Sequence, residues 1–188
     1  MSSLKLKTPS GGSVSFAATD TGSDYTLTVP AGNSTLLTNA TSGTILQVVF
    51  GSGNSPQTTS TGGVELTGVT ANITPSSISS KILIIARMPI RFIKQGSNAA
   101  GWASPKLYRD STLISPAPAV NHEIGINFGD ANWGDFRLTN VIQSLDSPST
   151  TSQITYSSRM TLYDAQSTLQ VNEASAFYST ITLMEVAG

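Results

Sequence analysis

The sequence predicts an all-β protein: an antiparallel β-sandwich or jelly roll of about eight strands, preceded by an extended N-terminal arm. Ser (28) and Thr (24) account for 52 of the 188 residues, whereas charged residues make up only 11%. Thr favours strands, and Ser competes with helical hydrogen bonds. Short alternating or continuous apolar runs recur between turn residues, and no segment shows the apolar spacing of an amphipathic helix.

The first 43 residues are predicted to form the arm, which consists of three short alternating segments separated by turn residues. The apolar positions of these segments are Leu4, Leu6, Val14, Phe16, Tyr25 and Leu27. So few apolar side chains cannot form a core, because even a complete hairpin is only marginally stable in water. We therefore expect the arm to lie on its own C-terminal domain, on sister chains or on a larger assembly.

Residues 44–188 are predicted to form the β-domain. Its strand candidates are 45–50, 64–73, 81–93, 106–110, 123–128, 136–145, 153–163 with 168–171, and 177–186. Turns are expected at 74–77, 147–149 and 164–167, and residues 51–63 are predicted to form a low-complexity loop. Spacing of this kind is typical of a sandwich.

The segment from Ile82 to Ala86 is apolar at every position. Such a strand is covered on both faces, by the core on one side and on the other by a second subunit, by the arm or by long loops. Residues of this segment and its continuation are our candidates for a trimer interface or for packing. They are Ile82, Ile84, Arg87, Arg91 and Phe92.

Charge and composition exclude several classes of protein. The formal net charge is −1 and no Lys/Arg cluster is present, so a nucleic-acid partner is not expected. The basic residues between Arg87 and Arg109 are spread out, and we interpret them as members of inter-subunit ion pairs or as a solvated face. No apolar run approaches the roughly 20 residues of a spanning helix, so no membrane partner is expected either. The absence of Cys excludes disulfides and thiolate chemistry.

No catalytic or metal constellation is evident. His122 is the single histidine and has no second ligand at a spacing that zinc uses, so it is interpreted as an exposed loop residue. No nucleophile motif of a hydrolase occurs. The chain is therefore predicted not to be an enzyme and to need no cofactor.

The segment from Gly129 to Asp135 is the one loop in which acids surround an aromatic ring. A structural turn, a carbohydrate contact and a calcium site are all compatible with it, although the spacing differs from that of an EF-hand. The carbohydrate interpretation uses Trp rings for stacking and acids for hydroxyl groups. Its candidate residues are Trp102, Asp130, Trp133 and Asp135.

Several motifs resemble virion proteins of tailed bacteriophages, especially fibre proteins of marine phages. In the arm, the resemblance lies in 4–14, in 25–32 (YTLTVPAG) and in 35–38. In the β-domain it lies in 73–77, 80–84, 107–112, 145–148 and 179–186. These motifs together span most of the chain.

The resemblance implies a homotrimeric virion structural protein without enzymatic activity, either a short fibre or a capsid decoration (cement) protein. The implied partners are further copies of the chain and the major capsid or tail proteins of the virion, to which the arm would attach. Because no apolar leader follows Met1, synthesis is expected in the host cytoplasm and the final location at the virion surface. The alternative is a receptor-binding module that recognises host-surface glycan.

Overall fold

The protein was analysed as a computed structural model that describes residues 3–7, 9–11, 13–17, 42–95, 100–115, 124–127, 133–163, 167–173 and 177–188. The regular structure of these residues is entirely β, and all strand pairs are antiparallel. The predicted all-β fold class is thereby confirmed. The chain divides into two compact units, Met1–Leu36 and Leu37–Gly188.

In the described part of the first unit, β1 (Ser3–Lys7) and β2 (Ser13–Ala17) form a two-stranded sheet. Leu4 pairs with Phe16 and Leu6 with Val14, as the alternating patterns and the intervening turn residues predict. The third arm segment, with Tyr25 and Leu27, lies outside the described residues.

The second unit consists of two sheets packed face to face. The first sheet has the order β3-β13-β6-β12-β4, with β10 along the remaining edge of β6; the second has the order β5-β11-β7-β8, with β9 beside β7. The strands are β3 (Ile45–Gly53), β4 (Gln57–Thr59), β5 (Glu65–Ile73), β6 (Lys81–Gln95), β7 (Ala100–Arg109), β8 (Thr112–Ser115), β9 (Ile124–Asn127), β10 (Trp133–Asp146), β11 (Ile154–Leu162), β12 (Ser167–Val171) and β13 (Ser179–Val186).

Strand β6 organises the first sheet. Its 15 residues pair with β10 along one edge, and along the other edge with β13 and then β12. Every second side chain from Ile82 to Phe92 points into the core and is at most 4% exposed. Apolar side chains of β6 therefore line the core at every second position from Ile82 to Phe92.

The core has two parts, and both draw side chains from the two sheets. One part includes Ile84 and Leu183 of the first sheet and Tyr156 of the second. The other includes Phe92 of the first sheet and Met160 of the second. Burial of these apolar side chains is the main source of stability in a chain without disulfides.

Two strands were missed by the sequence prediction, so the described part of the second unit has eleven strands and not about eight. The predicted loop at 51–63 contains the end of β3 and all of β4. Pairing with β12 and hydrogen bonds between the Gln57 side chain and the backbone of Thr67 hold β4 in place. Local composition does not report such long-range partners. The other missed strand is β8, which pairs with β7.

Candidate assembly surface

An apolar patch occupies one end of the outer face of the first sheet, with Thr182 and Gln143 between its members and Arg87 beside Val141. Strand alternation turns one set of side chains from four adjacent strands away from the core. Val48, Met184, Leu83 and Leu145 form one row across β3, β13, β6 and β10. The complete apolar patch consists of Ile45, Val48, Phe50, Leu83, Ile85, Val141, Leu145, Met184 and Val186.

Five members of the apolar patch are more exposed than is usual for large apolar side chains. Ile45, Val48, Phe50, Val141 and Leu145 are between 55% and 66% exposed. Together they present on the order of 500 Å² of apolar side-chain surface. This is as large as the largest apolar patch of a typical monomer, which is roughly 300–600 Å² and often functional.

A charged cluster bounds the apolar patch at the far end of β6 and β10. The guanidinium group of Arg91 donates to both carboxylate oxygens of Asp135, at 2.9 and 2.7 Å, and to Glu173 at 2.8 Å. Arg137 donates to both oxygens of Glu173 at 2.9 and 3.0 Å. The hydrogen bond from Arg91 holds the pKa of Asp135 below its usual value, and that from Arg137 does the same for Glu173.

The four residues of this cluster neutralise one another. A cleft of about 200 Å³ lies beside them, lined by Arg137, Glu173 and Phe177 among others. Three buried side-chain oxygens in the described part of the chain have no hydrogen-bond partner, those of Asn140, Ser158 and Ser167, and none of them lines this cleft. The two charged residues that line the cleft, Arg137 and Glu173, are paired with each other.

A second charged cluster lies on the outer face of the second sheet. The Glu65 carboxylate accepts hydrogen bonds from Lys106 at 2.7 Å and from Tyr108 at 2.8 Å. Burial raises the pKa of Glu65, but these hydrogen bonds outweigh burial, so the net pKa is lowered. Arg159 is 3.5 Å from the same carboxylate and lies 4.1 Å from the centroid of the Tyr108 ring.

The residues predicted for a trimer interface or for packing occupy two different environments. Ile82, Ile84 and Phe92 are 0% exposed in the core of the sandwich, so they pack within the chain and offer no surface to a partner. Arg87 is exposed on the outer face, where it donates to the Tyr178 carbonyl at 3.4 Å. Arg91 belongs to the cluster that bounds the apolar patch.

Two of the predicted glycan residues, Trp102 and Asp135, lie on opposite outer faces of the sandwich. Trp102 is on the outer face of the second sheet, because its neighbours Gly101 and Ala103 face the core. Asp135 is on the opposite outer face, held by Arg91. Trp133 is the first residue of β10, and Asp130 and His122 lie outside the described residues.

The most exposed members of the apolar patch were missed by the sequence prediction. One signal could have found them: the segment from Ile45 to Phe50 contains apolar residues at both odd and even positions, as the segment from Ile82 to Ala86 does. Two such strands in one sheet indicate an apolar outer face. The two strands, β3 and β6, both pair with β13. This pairing joins segments far apart in the sequence, so no local pattern predicts it.

Within the described ranges, no group of three or more His, Cys, Asp or Glu residues is placed to hold a metal ion. The same residues include no helix long and apolar enough to cross a membrane.

Comparison with known proteins gives similarities to solved structures only. No protein-family model matches the chain, and no curated protein matches it. The structure of the infectious bursal disease virus Gx strain is similar at 15% identity and a TM-score of 0.29, over 77% of this chain and 39% of that chain. The VP2 subviral particle of the same virus is similar at 16% identity and a TM-score of 0.32, over 77% and 38%.

The Gt strain structure of that virus gives a comparable similarity, 12% identity and a TM-score of 0.31 over 76% and 38% of the two chains. The chain thus spans less than two fifths of the length of these viral chains. Identities and TM-scores this low do not assign a family.

Proposed function

We propose that this protein is a non-enzymatic structural subunit of a virus particle, which assembles as a homotrimer through the apolar patch of its first sheet. The observation that carries this proposal is the exposure of Phe50, Val48, Val141 and Leu145 on one sheet face. Copies of the same chain are the occupant that this face fits best.

The size of the apolar patch supports association between subunits. Stable interfaces bury about 800 Å² on each partner, and the five most exposed side chains already supply on the order of 500 Å². At about 25 cal/mol per Å², covering them contributes on the order of 12 kcal/mol, enough to offset much of the cost of association. With a net charge of −1 per chain, copies repel one another only weakly.

The viral assignment is supported by the resemblance of the arm and β-domain motifs to bacteriophage virion proteins. On this proposal the strands β1 and β2 and the segment that follows attach the subunit to major capsid or tail proteins of the virion by strand addition. The second unit then forms the trimer at the virion surface, as a decoration protein or a short fibre. Deletion of residues 2–40 is expected to abolish incorporation into particles, and normal incorporation would contradict this role of the arm.

The test of self-association is the mass of the full-length protein in solution, measured by size-exclusion chromatography with light scattering. We expect three times 19.6 kDa. Phe50→Ser, in the apolar patch, is expected to weaken association at least tenfold, because a buried Phe contributes about 2 kcal/mol. Ile78→Ser is the matched control, since Ile78 is 68% exposed in the turn before β6 and outside the apolar patch.

Two results would contradict the proposed interface. The first is a 19.6 kDa monomer at every concentration, which would mean that the apolar patch is not a contact between copies of the chain. The second is an assembly whose mass and concentration dependence are the same for wild type and Phe50→Ser.

A further inference from the structure

Two exposed aromatic side chains lie side by side on the outer face of the second sheet. The backbone N–H of Tyr163 donates to the Trp102 carbonyl at 2.9 Å, which continues the pairing of β11 with β7 and places both side chains on the same face. Trp102 is 43% exposed and Tyr163 is 45% exposed. An aromatic surface therefore faces solvent at this end of the sheet.

The ring of Trp102 is supported from below by a glycine. Trp102 pairs with Gly125 of β9, and a Cβ atom at position 125 would overlap the six-membered part of the indole. The indole thus packs against the Gly125 backbone, and 43% of the Trp102 surface is exposed. A flat, supported ring of this kind loses little conformational freedom when a second ring stacks on it.

Three charged residues of the described part of the chain lie next to the two rings. Lys106 lies 5.9 Å from the centroid of the Tyr163 ring and 2.7 Å from Glu65. Arg159 approaches the same carboxylate at 3.5 Å. Two cations thus share one carboxylate, so among the described residues Glu65, Lys106 and Arg159 together carry a net charge of +1.

We propose that this face binds carbohydrate, with a pyranose ring stacked on Trp102 beside Tyr163 and an acidic group of the sugar drawn to Lys106 and Arg159. The C–H groups of a pyranose form an apolar face that matches an indole, and its hydroxyl groups can bond to polar side chains at the rim. The local excess of positive charge complements a uronic acid. Single-stranded nucleic acid also stacks on aromatic rings, but it requires a basic groove, which a chain of net charge −1 does not favour.

The test uses the full-length protein with alginate oligosaccharides as the acidic probe, dextran oligosaccharides as the neutral probe and oligo-dT as the nucleic-acid probe. Binding is measured by isothermal titration calorimetry. We expect alginate to bind, dextran to bind at least threefold more weakly and oligo-dT not to bind. Equal affinity for dextran would overturn the preference for acidic sugars, and binding of oligo-dT alone would overturn the carbohydrate assignment.

Trp102→Ala is expected to weaken alginate binding at least tenfold, and Lys106→Gln to remove the preference over dextran. Tyr178→Ala is the matched control, because Tyr178 is 44% exposed and precedes β13 in the other sheet. It is expected to bind as wild type does. The proposal would be overturned if Trp102→Ala bound alginate with the affinity of the wild type. It would also be overturned if Trp102→Ala changed only the mass of the assembly.

A measurement on the wild type does not depend on the folding of Trp102→Ala or Lys106→Gln. The chain has two tryptophans, so its nitrogen–proton correlation spectrum contains two indole N–H signals, which Trp102→Phe assigns. Alginate is expected to shift the Trp102 signal. A shift of the Trp133 signal alone, or of neither, would overturn the proposal.

Discussion

Ser80 donates a 2.6 Å hydrogen bond to the carboxylate of Glu185, and both side chains are at most 1% exposed. The same carboxylate accepts hydrogen bonds from the backbone N–H and the hydroxyl of Ser76 and from Gln47. All these donors are neutral. Glu185 on β13 thereby connects β3 with the turn between β5 and β6.

The first prediction concerns the acid stability that this arrangement causes. Burial raises the pKa of Glu185, but the hydrogen bonds from Ser76, Ser80 and Gln47 outweigh burial and lower it from 4.5 to about 2. The folded state therefore binds its proton at lower pH than the unfolded chain. The stabilisation is complete above pH 4.5 and is lost as the pH falls towards 2.

The lost stabilisation from Glu185 amounts to at most about 3 kcal/mol. Urea unfolding of wild type and Glu185→Gln between pH 2 and pH 7 measures it. Glu185→Gln is expected to be less stable at pH 7 and to show a shallower decline on acidification. Parallel pH profiles for the two proteins would contradict the role of Glu185.

The second prediction concerns Asn172, which has a positive φ of 56° and is buried. Its side-chain oxygen accepts from the N–H and hydroxyl of Ser179, and its amide donates to the Gly68 carbonyl at 3.0 Å. Asn172→Ala is expected to lower the free energy of unfolding by about 3 kcal/mol, because buried groups lose their partners and the backbone conformation disfavours Ala.

Asn172→Asp is the matched control for the two halves of the Asn172 amide. It keeps the oxygen that Ser179 uses and removes the donor to Gly68, so we expect a loss that is measurable but differs from that of Asn172→Ala. Urea unfolding at pH 7 compares the two variants. Wild-type stability in Asn172→Ala would show that these hydrogen bonds contribute nothing.

The third prediction concerns the packing of Gly101 on β7 against Phe92 on β6. A Cβ atom at Gly101 would overlap the ring of Phe92, and Phe92 is fully buried. Gly101→Ala is therefore expected to destabilise the protein by about 1–3 kcal/mol through overpacking. Thermal unfolding followed by circular dichroism measures this effect, and a melting temperature at or above that of wild type would contradict it.

The fourth prediction concerns the hydroxyl group of Tyr156. It donates to Asp146 at 2.7 Å, and Arg109 donates to both oxygens of the same carboxylate at 2.9 and 3.0 Å. Burial, together with Asp146, raises the pKa of Tyr156 well above its usual value. Tyr156→Phe is expected to cost about 1–2 kcal/mol in urea unfolding, because the side chain stays packed while a hydrogen bond to a charged group is lost.

A control for Tyr156→Phe is Tyr178→Phe, since Tyr178 is 44% exposed. Its stability is expected to equal that of wild type. An equal loss in both variants would mean that the effect is not specific to the Asp146 contact.

The strands that the sequence predicts well are those with strong local patterns. The candidate at 81–93 corresponds to β6, 136–145 to β10 and 177–186 to β13, within a few residues at each end. Their apolar alternation is imposed by the two faces of a strand, so it is readable locally. Strands β4 and β8 are short and polar or partly exposed, and they exist because a neighbouring strand pairs with them.

The interface candidates show that a local sequence pattern can identify a strand without identifying which of its residues face outward. Apolar residues at every position from Ile82 to Ala86 correctly indicate a strand with an unusual outer face, but not which residues lie on it. The structure assigns Ile82 and Ile84 to the core and Leu83 and Ile85 to the outer face. In β strands a shift by one residue exchanges the two faces, and only packing of the sheets fixes the choice.

The sequence by itself determined the fold class, the position of most strands and the lack of disulfides, because these depend on residue type and on period-two alternation. Only the tertiary structure decided that Val48, Leu83, Leu145 and Met184 form one apolar row, and that Trp102 and Asp135 point in opposite directions. Both outcomes depend on which strands pair and in which register. Pairing is a property of distant segments, and the hydrophobic effect that selects it acts on the whole chain at once.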